Sequence, residues 1–274
     1  MNFARLFRAL GYILLAIICV WCLFPILWAF LISIQTEADA FSIPPKLLFT
    51  PTMDNYRVAL SNPDLLRYFV NSTITALGAT TVCTAFSLLS AYAAVRSKSR
   101  KVDAAVLIIL VTSMLPSLGA LVPVFLIYHR VGLYDTQVGL MAMYMVMNSA
   151  LAIWMLRSTL EGIPFELEES AMVDGCTKLG AFVRVALPLA APGIAACVIV
   201  VFIFCWNEFM QALVLTGANA RTLPLSLASY MGRDVVNWGP ICAVGVLVML
   251  PVIVFALLVQ RKIVEGLTLG AVKA

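Results

Sequence analysis

Long apolar runs alternate with short polar segments along almost the whole chain. A helix needs about 20 apolar residues to cross a bilayer. Six runs meet that length, at about 11–34, 69–95, 104–128, 138–156, 188–215 and 239–260. The pattern predicts an all-α membrane protein with six transmembrane helices in one transmembrane domain over residues 1–274. The first run follows Arg5 and Arg8 and exceeds the ~7–15 residues of a secretory apolar region. No small-x-small cleavage site follows it, and Ile17 and Ile18 precede Cys19 where a lipoprotein site would want a small residue. It is therefore expected to be an uncleaved span.

The polar segments set an orientation, because Lys and Arg accumulate on the cytoplasmic side. With the N-terminus inside, twelve of the eighteen basic residues fall on that side, among them Arg96, Arg100, Lys101, Arg157, Lys178 and Arg184. The other six, which include Lys46, Arg57, Arg67, Arg130 and Arg221, fall outside. Both termini are then expected to be cytoplasmic. Residues 157–187 form the largest inside loop, and residues 35–68, with Pro44, Pro45, Pro51 and Pro63, read as an irregular outside loop.

Composition supports this class and excludes others. The chain is 62% hydrophobic and only 12% charged, against about a quarter charged in soluble domains. The net charge of +4 follows from the inside bias and asks for no nucleic-acid partner. Cys19 and Cys22 form a C-x-x-C inside an apolar helix, where small packing residues are the better reading. A lone histidine, His129, cannot build a metal site. No catalytic cluster and no metal site are expected.

The inside loop carries most of the polar information. In "EGIPFELEESAMVDG", Pro164 suits a helix start and the acids that follow favour a helix N-terminus. Gly175 sits where a left-handed residue would end the helix, so a short helix is predicted over 164–174. Leu167 and Ala171 would share one side and Phe165 and Met172 another, as if the helix were gripped from two directions. "TKLGAFVRVALP" predicts a second helix with Thr177 as its cap. Pro188 marks the junction with the fifth span.

This loop resembles the EAA loop of permease subunits of ATP-binding-cassette importers. That pattern runs E-A-A, three residues, G, nine residues, then a hydrophobic residue, one residue and L-P. Here it reads Glu169-Ser170-Ala171, Gly175, then Val185-Ala186-Leu187-Pro188. Ser170 replaces the usual alanine and Val185 the usual isoleucine. The stretches 114–140, 154–170 and "FCWNEFMQALVLT" (204–216) resemble the sugar-importer branch. The tail "QRKIVEGLTLGAVKA" is similar to the end of the maltose-transporter-type subunit.

The resemblance implies the type I ABC-importer permease fold in a prokaryotic inner membrane. It also implies a second homologous permease subunit, two ATPase subunits and an extracytoplasmic sugar-binding protein or lipoprotein. Glu168, Glu169, Ser170, Ala171, Met172, Asp174, Gly175, Leu187 and Pro188 would couple to an ATPase. Gly266, Leu267, Thr268 and Gly270, in the expected tail 261–274, would lie along it. ATP and Mg would sit on those partners, since this chain has no G-x-x-x-x-G-K-[ST], no cofactor would be bound here, and the chain itself would not be an enzyme.

Polar groups inside spans are candidates for a translocation pathway. Asn148, with Ser149 beside it, either meets a sugar hydroxyl or, as the better reading, a neighbouring helix. Trp206, Asn207 and Glu208 either line the cavity or anchor the span at headgroup depth. Pro116, Gly119 and Pro123 interrupt the third span. A polyol, amino sugar or glycerol phosphodiester importer is the near alternative. An ion-coupled secondary transporter is the distant one, disfavoured because Glu208 is the only acid within a predicted span.

Overall fold

The protein is described by a computed structural model covering residues 3–97, 99–113, 117–230 and 237–271, with the backbone alone given for 3–9, 113, 117–118 and 258–271. Lys98, Pro116, Gly232, Arg233 and Lys273 lie outside the described residues. All regular structure among them is helical, as it must be where lipid offers no hydrogen bonds to a bare backbone. Five helices are long and apolar enough to cross a membrane, and Gly119–Val131 is a shorter apolar helix.

The chain divides into two compact units, Met1–Leu65 with Ser226–Leu250, and Leu66–Leu225 with Pro251–Ala274. In the first unit, α1 (Phe3–Ser33) is followed by α2 (Glu37–Ala40) and α3 (Asp54–Leu60). The segment expected to be irregular is thus partly helical. Side chains hold it together. The Asn55 amide donates to the carbonyls of Ser33 (3.1 Å) and Gln35 (2.7 Å). Gln35 donates to the Lys46 carbonyl at 3.0 Å, and Lys46 pairs with Asp39 at 2.7 Å. Cys19 and Cys22 lie exposed on α1 as free thiols.

The second unit contains α4 (Leu65–Arg96, whose first residue belongs to the other unit), α5 (Arg100–Ser113), α6 (Ser117–Val131) and α7 (Gln137–Glu161). The coupling loop carries α8 (Glu166–Val173) and α9 (Lys178–Ala181), and α10 (Leu187–Trp206) and α11 (Met210–Leu215) follow. α12 (Leu223–Ser226) then leads back to the first unit, and α13 (Trp238–Ala271) runs through both.

α7 is the hub of the second unit. It packs against α5, α10 and α11 and buries Tyr144, Ile153, Leu156 and Leu160. Its approach to α10 is so close that a Cβ on Gly193 would collide with the Thr159 side chain.

Three boundaries differ from those read in the sequence. The run 104–128 is carried by two helices, α5 and α6, on either side of residues 114–116. The run 188–215 breaks after Trp206, because the Asn207 amide turns back to the Ile203 carbonyl (2.8 Å) and Glu208 Oε1 accepts the Gln211 N–H (3.1 Å), which begins α11. Where a tail was expected from 261, α13 continues to Ala271. Gly266, Leu267, Thr268 and Gly270 ride on that helix, and their side chains lie outside the described residues.

The Gly193–Thr159 contact predicts that Gly193→Leu destabilises the chain by about 1–3 kcal/mol, the usual cost of overpacking. Adding Thr159→Ala should recover part of that loss. Thermal unfolding of the detergent-purified chain measures both.

Candidate functional site

Residues 162–188 form a helix, a turn and a second helix whose geometry follows from local sequence. α8 starts two residues later than expected, with Phe165 as N-cap and Glu166, Glu168 and Glu169 in the first turn, where acids favour the helix N-terminus. It ends in a Schellman turn. Gly175 has φ +93°, its N–H bonds the Met172 carbonyl (3.1 Å), and Cys176 N–H bonds the Ala171 carbonyl (3.0 Å). This is the pair of bonds the motif requires. Thr177 Oγ1 then accepts the Gly180 N–H at 3.1 Å and caps α9.

α9 does not stop before the fifth span. It passes through a π-helical turn at Phe182–Ala186 into α10, with Leu187 N–H bonded to the Phe182 carbonyl. Pro188, at the start of α10, has no N–H to give, and its ring disfavours a tight preceding turn. The wider turn accommodates it. Leu187 is half-buried there and Pro188 exposed.

The faces of α8 are not the two apolar sides expected. Glu168, Ala171 and Met172, at i, i+3 and i+4 spacing, face inward, with Glu168 fully buried and the other two half-buried. Glu166, Glu169, Ser170, Val173 and Asp174 face out, as does Leu167. Val173 is 87% exposed and Leu179, just beyond the turn, 71%. The outward surface is therefore apolar side chains among three exposed acids.

Glu168 stands apart from the other acids of α8, because its carboxylate is buried and bonded within the chain. Arg96 Nε donates to Oε1 (2.8 Å), Arg96 Nη2 approaches the same oxygen (2.8 Å), and the Tyr92 hydroxyl donates to Oε2 (2.6 Å). Arg96 Nη2 also donates to the Ile163 carbonyl at 3.0 Å, and the guanidinium lies over the Phe165 ring. Tyr92 packs on Phe182 with ring centroids 4.5 Å apart. Arg96 and Tyr92 were legible only as one charge in the inside bias and one aromatic at a span end, because they lie 72 and 76 residues from Glu168.

At the other end of α7, about 37 Å away at 1.5 Å per residue, a second polar cluster was missed. Asp135 takes φ +54°, a region short polar residues tolerate. Its carboxylate accepts the backbone N–H groups of Gly217 (2.8 Å), Asn219 (3.0 Å) and Ala220 (2.9 Å) and the Asn219 side-chain amide (3.0 Å). From α4, the Asn71 amide donates to the Asn219 and Arg221 carbonyls (2.8 and 2.9 Å), and Arg67 donates to Asn219 Oδ1 (3.0 Å). Gln137 donates to Asn71 Oδ1 at 2.8 Å. Desolvation works against the Asp135 charge, but the bonds from Ala220, Asn219 and Gly217 outweigh it and lower its pKa. The only sequence signal was an acid between two helices in "LYDT".

The pathway candidates separate. Trp206 is buried, edge-on to Phe69 (5.9 Å between centroids) and stacked on Phe202 (5.8 Å), where it packs α4 against α10. Asn148 donates to the Tyr144 carbonyl (2.8 Å) and to Cys205 Sγ (3.6 Å), joining α7 to α10. Asn207 is exposed and Glu208 half-buried, at the break between α10 and α11. The Gln211 side-chain amide lies against the Glu208 carboxylate, and with its nitrogen turned toward that group it donates to Oε2 at 2.9 Å. His129 stacks on Tyr134 at 4.0 Å and meets Phe125 edge-on. No group of three metal-ligating side chains occurs among the described residues.

Several apolar helices long enough to cross a membrane, with the helix–turn–helix of α8 and α9 between α7 and α10, make this a polytopic membrane protein. The chain belongs to the family described as binding-protein-dependent transport system inner membrane component, whose pattern matches residues 84–268. It is 37% identical to the trehalose transport system permease of Mycobacterium tuberculosis, over 92% of this chain and 93% of that one. It is 34% identical to the trehalose/maltose transport system permease of Thermococcus litoralis (98% and 97%). The sulfoquinovosyl glycerol transport system permease of Agrobacterium fabrum is 35% identical (97% and 94%). In fold it matches a chain of a bacterial ABC transporter that imports alginate, with a TM-score of 0.77 at 23% identity, over 96% of this chain and 99% of that one.

Two tests follow from the geometry. Gly175→Ala meets no atom within 4 Å, so its cost should be backbone strain alone, about 1–2 kcal/mol, with Gly175→Asn milder and Gly175→Val worse in thermal unfolding. For Asp135 the folded pKa is depressed, so its contribution is complete above the ordinary carboxylate value of about 3.9 and disappears as pH falls through the lowered one. Amide-exchange protection at Gly217, Asn219 and Ala220 should therefore hold from neutral pH to about 4. Asp135→Ala should abolish it even at neutral pH.

Proposed function

We propose that this chain is the membrane-spanning subunit of an ATP-driven importer that moves a glycoside or small oligosaccharide delivered by an extracytoplasmic binding protein. The observation that carries this reading is α8. It presents exposed Glu169, Asp174, Val173 and Leu167 outward while its inner face is tied to the bundle. That is a surface for a protein groove with basic and apolar walls, since its acids repel anionic lipid.

In this reading the α8 end is cytoplasmic, as are both termini. Each ATPase of a pair meets one permease subunit, this chain or a second homologous one. ATP and Mg stay on the ATPases, and closure of the pair moves the spans between inward-open and outward-open states. The cycle requires only that the two states bind nucleotide and binding protein with different affinity. The segment expected to meet the binding protein is Gly217 to Trp238, and among its described residues Asp135 and Asn71 hold 217–221. The substrate class is supported by relatives named for trehalose, maltose and diacetylchitobiose transport. The binding protein does most of the choosing.

The test is co-expression with the ATPase and second permease encoded nearby, followed by purification and reconstitution with the binding protein. ATPase should co-purify with the wild-type chain, and Glu169→Lys should weaken that association and sugar uptake by about tenfold, the equivalent of ~1.4 kcal/mol. A Glu169→Lys chain that holds ATPase and transports normally sinks the reading.

A further inference from the structure

We infer that α4 is the strut that carries the coupling signal between α8 and the loop at 217–221, and that Arg96 and Tyr92 are the positioning residues that fasten α8 to it. The inference rests on the proposed coupling at α8 and says which span receives the push.

Both ends of α4 are fastened, and each to a different working surface. At its last turn, Tyr92 and Arg96 hold the two oxygens of Glu168. In its first two turns, Arg67 and Asn71 hold Asn219 and Arg221, and Ser72 Oγ accepts the Leu223 N–H at 2.7 Å. The helix between them has 32 residues, about 48 Å at 1.5 Å per residue. It contains no proline, the commonest cause of a sharp kink.

The alternative routes are more compliant. α10 is joined to α9 through the π turn and carries Pro188 and Pro192. α7 is joined to α8 through residues 162–165, a non-helical link that Arg96 itself pins at the Ile163 carbonyl. The Arg96 side chain is 13% exposed and Glu168 1%. A guanidinium that grips a carboxylate on α8 and a carbonyl ahead of it sets position and orientation together. An apolar contact in the same place would slide.

The test uses the whole transporter in lipid nanodiscs, with ATPase stimulation by sugar-loaded binding protein as the readout. Arg96→Met combined with Glu168→Met replaces the pair with apolar side chains, a change that buried ion pairs often tolerate without unfolding. That complex should assemble, and its stimulation relative to its own unstimulated rate should fall about 5-fold or more. Tyr92→Phe and Arg96→Lys, which keep part of the grip, should give intermediate stimulation, and they decide the matter if the double variant does not assemble. Normal stimulation in the assembled double variant, or in both milder ones, overturns the strut. Glu169→Lys separates the two levels. If that chain still binds ATPase, the coupling reading fails and the strut with it. If ATPase is lost there but stimulation is normal in the Arg96/Glu168 pair, only the strut fails.

Discussion

A carboxylate taken out of water must be answered by its own chain, and the arrangement of the second unit follows from how Glu168 is answered. Desolvating a charge costs several kcal/mol, which only good geometry and further hydrogen bonds offset. Arg96 and Tyr92 supply both. Because the pair forms in one orientation, the rotation of α8 is set. Glu169, Val173 and Asp174 turn outward as a consequence of where Glu168 turns inward. Breaking one side of such a pair leaves the other buried and alone, so the helix has little freedom to roll.

The same logic governs the polar groups among the spans. Asn148 bonds its own helix and Cys205, and the Ser149 hydroxyl bonds the Val146 carbonyl at 2.8 Å. Small residues let helices approach where bonds are few, as Gly193 does at Thr159 and Gly78 at Met141. At the far end of α7, Asp135 gathers backbone N–H groups that no helix or strand would otherwise satisfy. Asn148 thus fastens α7 to α10 and Asp135 fastens the turn before α7 to residues 217–220, while Ser149 bonds within its own helix.

Much was legible because the signals are local. Apolar length marked the spans, and the D-G before a polar turn located the Schellman motif at Gly175. Thr177 was readable as a cap because its partner is three residues away. What failed to read was pairing over long separations. Nothing near Glu168 distinguishes it from Glu169, and periodicity placed two apolar sides on α8 where the structure has one inner face centred on a carboxylate. Trp206 read as either a cavity or an interfacial aromatic, because Phe69 and Phe202 come beside it only after packing. The break at Asn207 was hidden within an apolar average.

The sequence alone determined that the chain is a helical membrane protein with an EAA-type loop, since bilayer thickness and turn chemistry act over a few residues at a time. The tertiary structure decided which acid is internal and which is presented, where the fifth run breaks, and which side chains hold the loop after Leu215. Those outcomes depend on charges and donors brought together from distant parts of the chain. Their energies arise only when water is excluded between them.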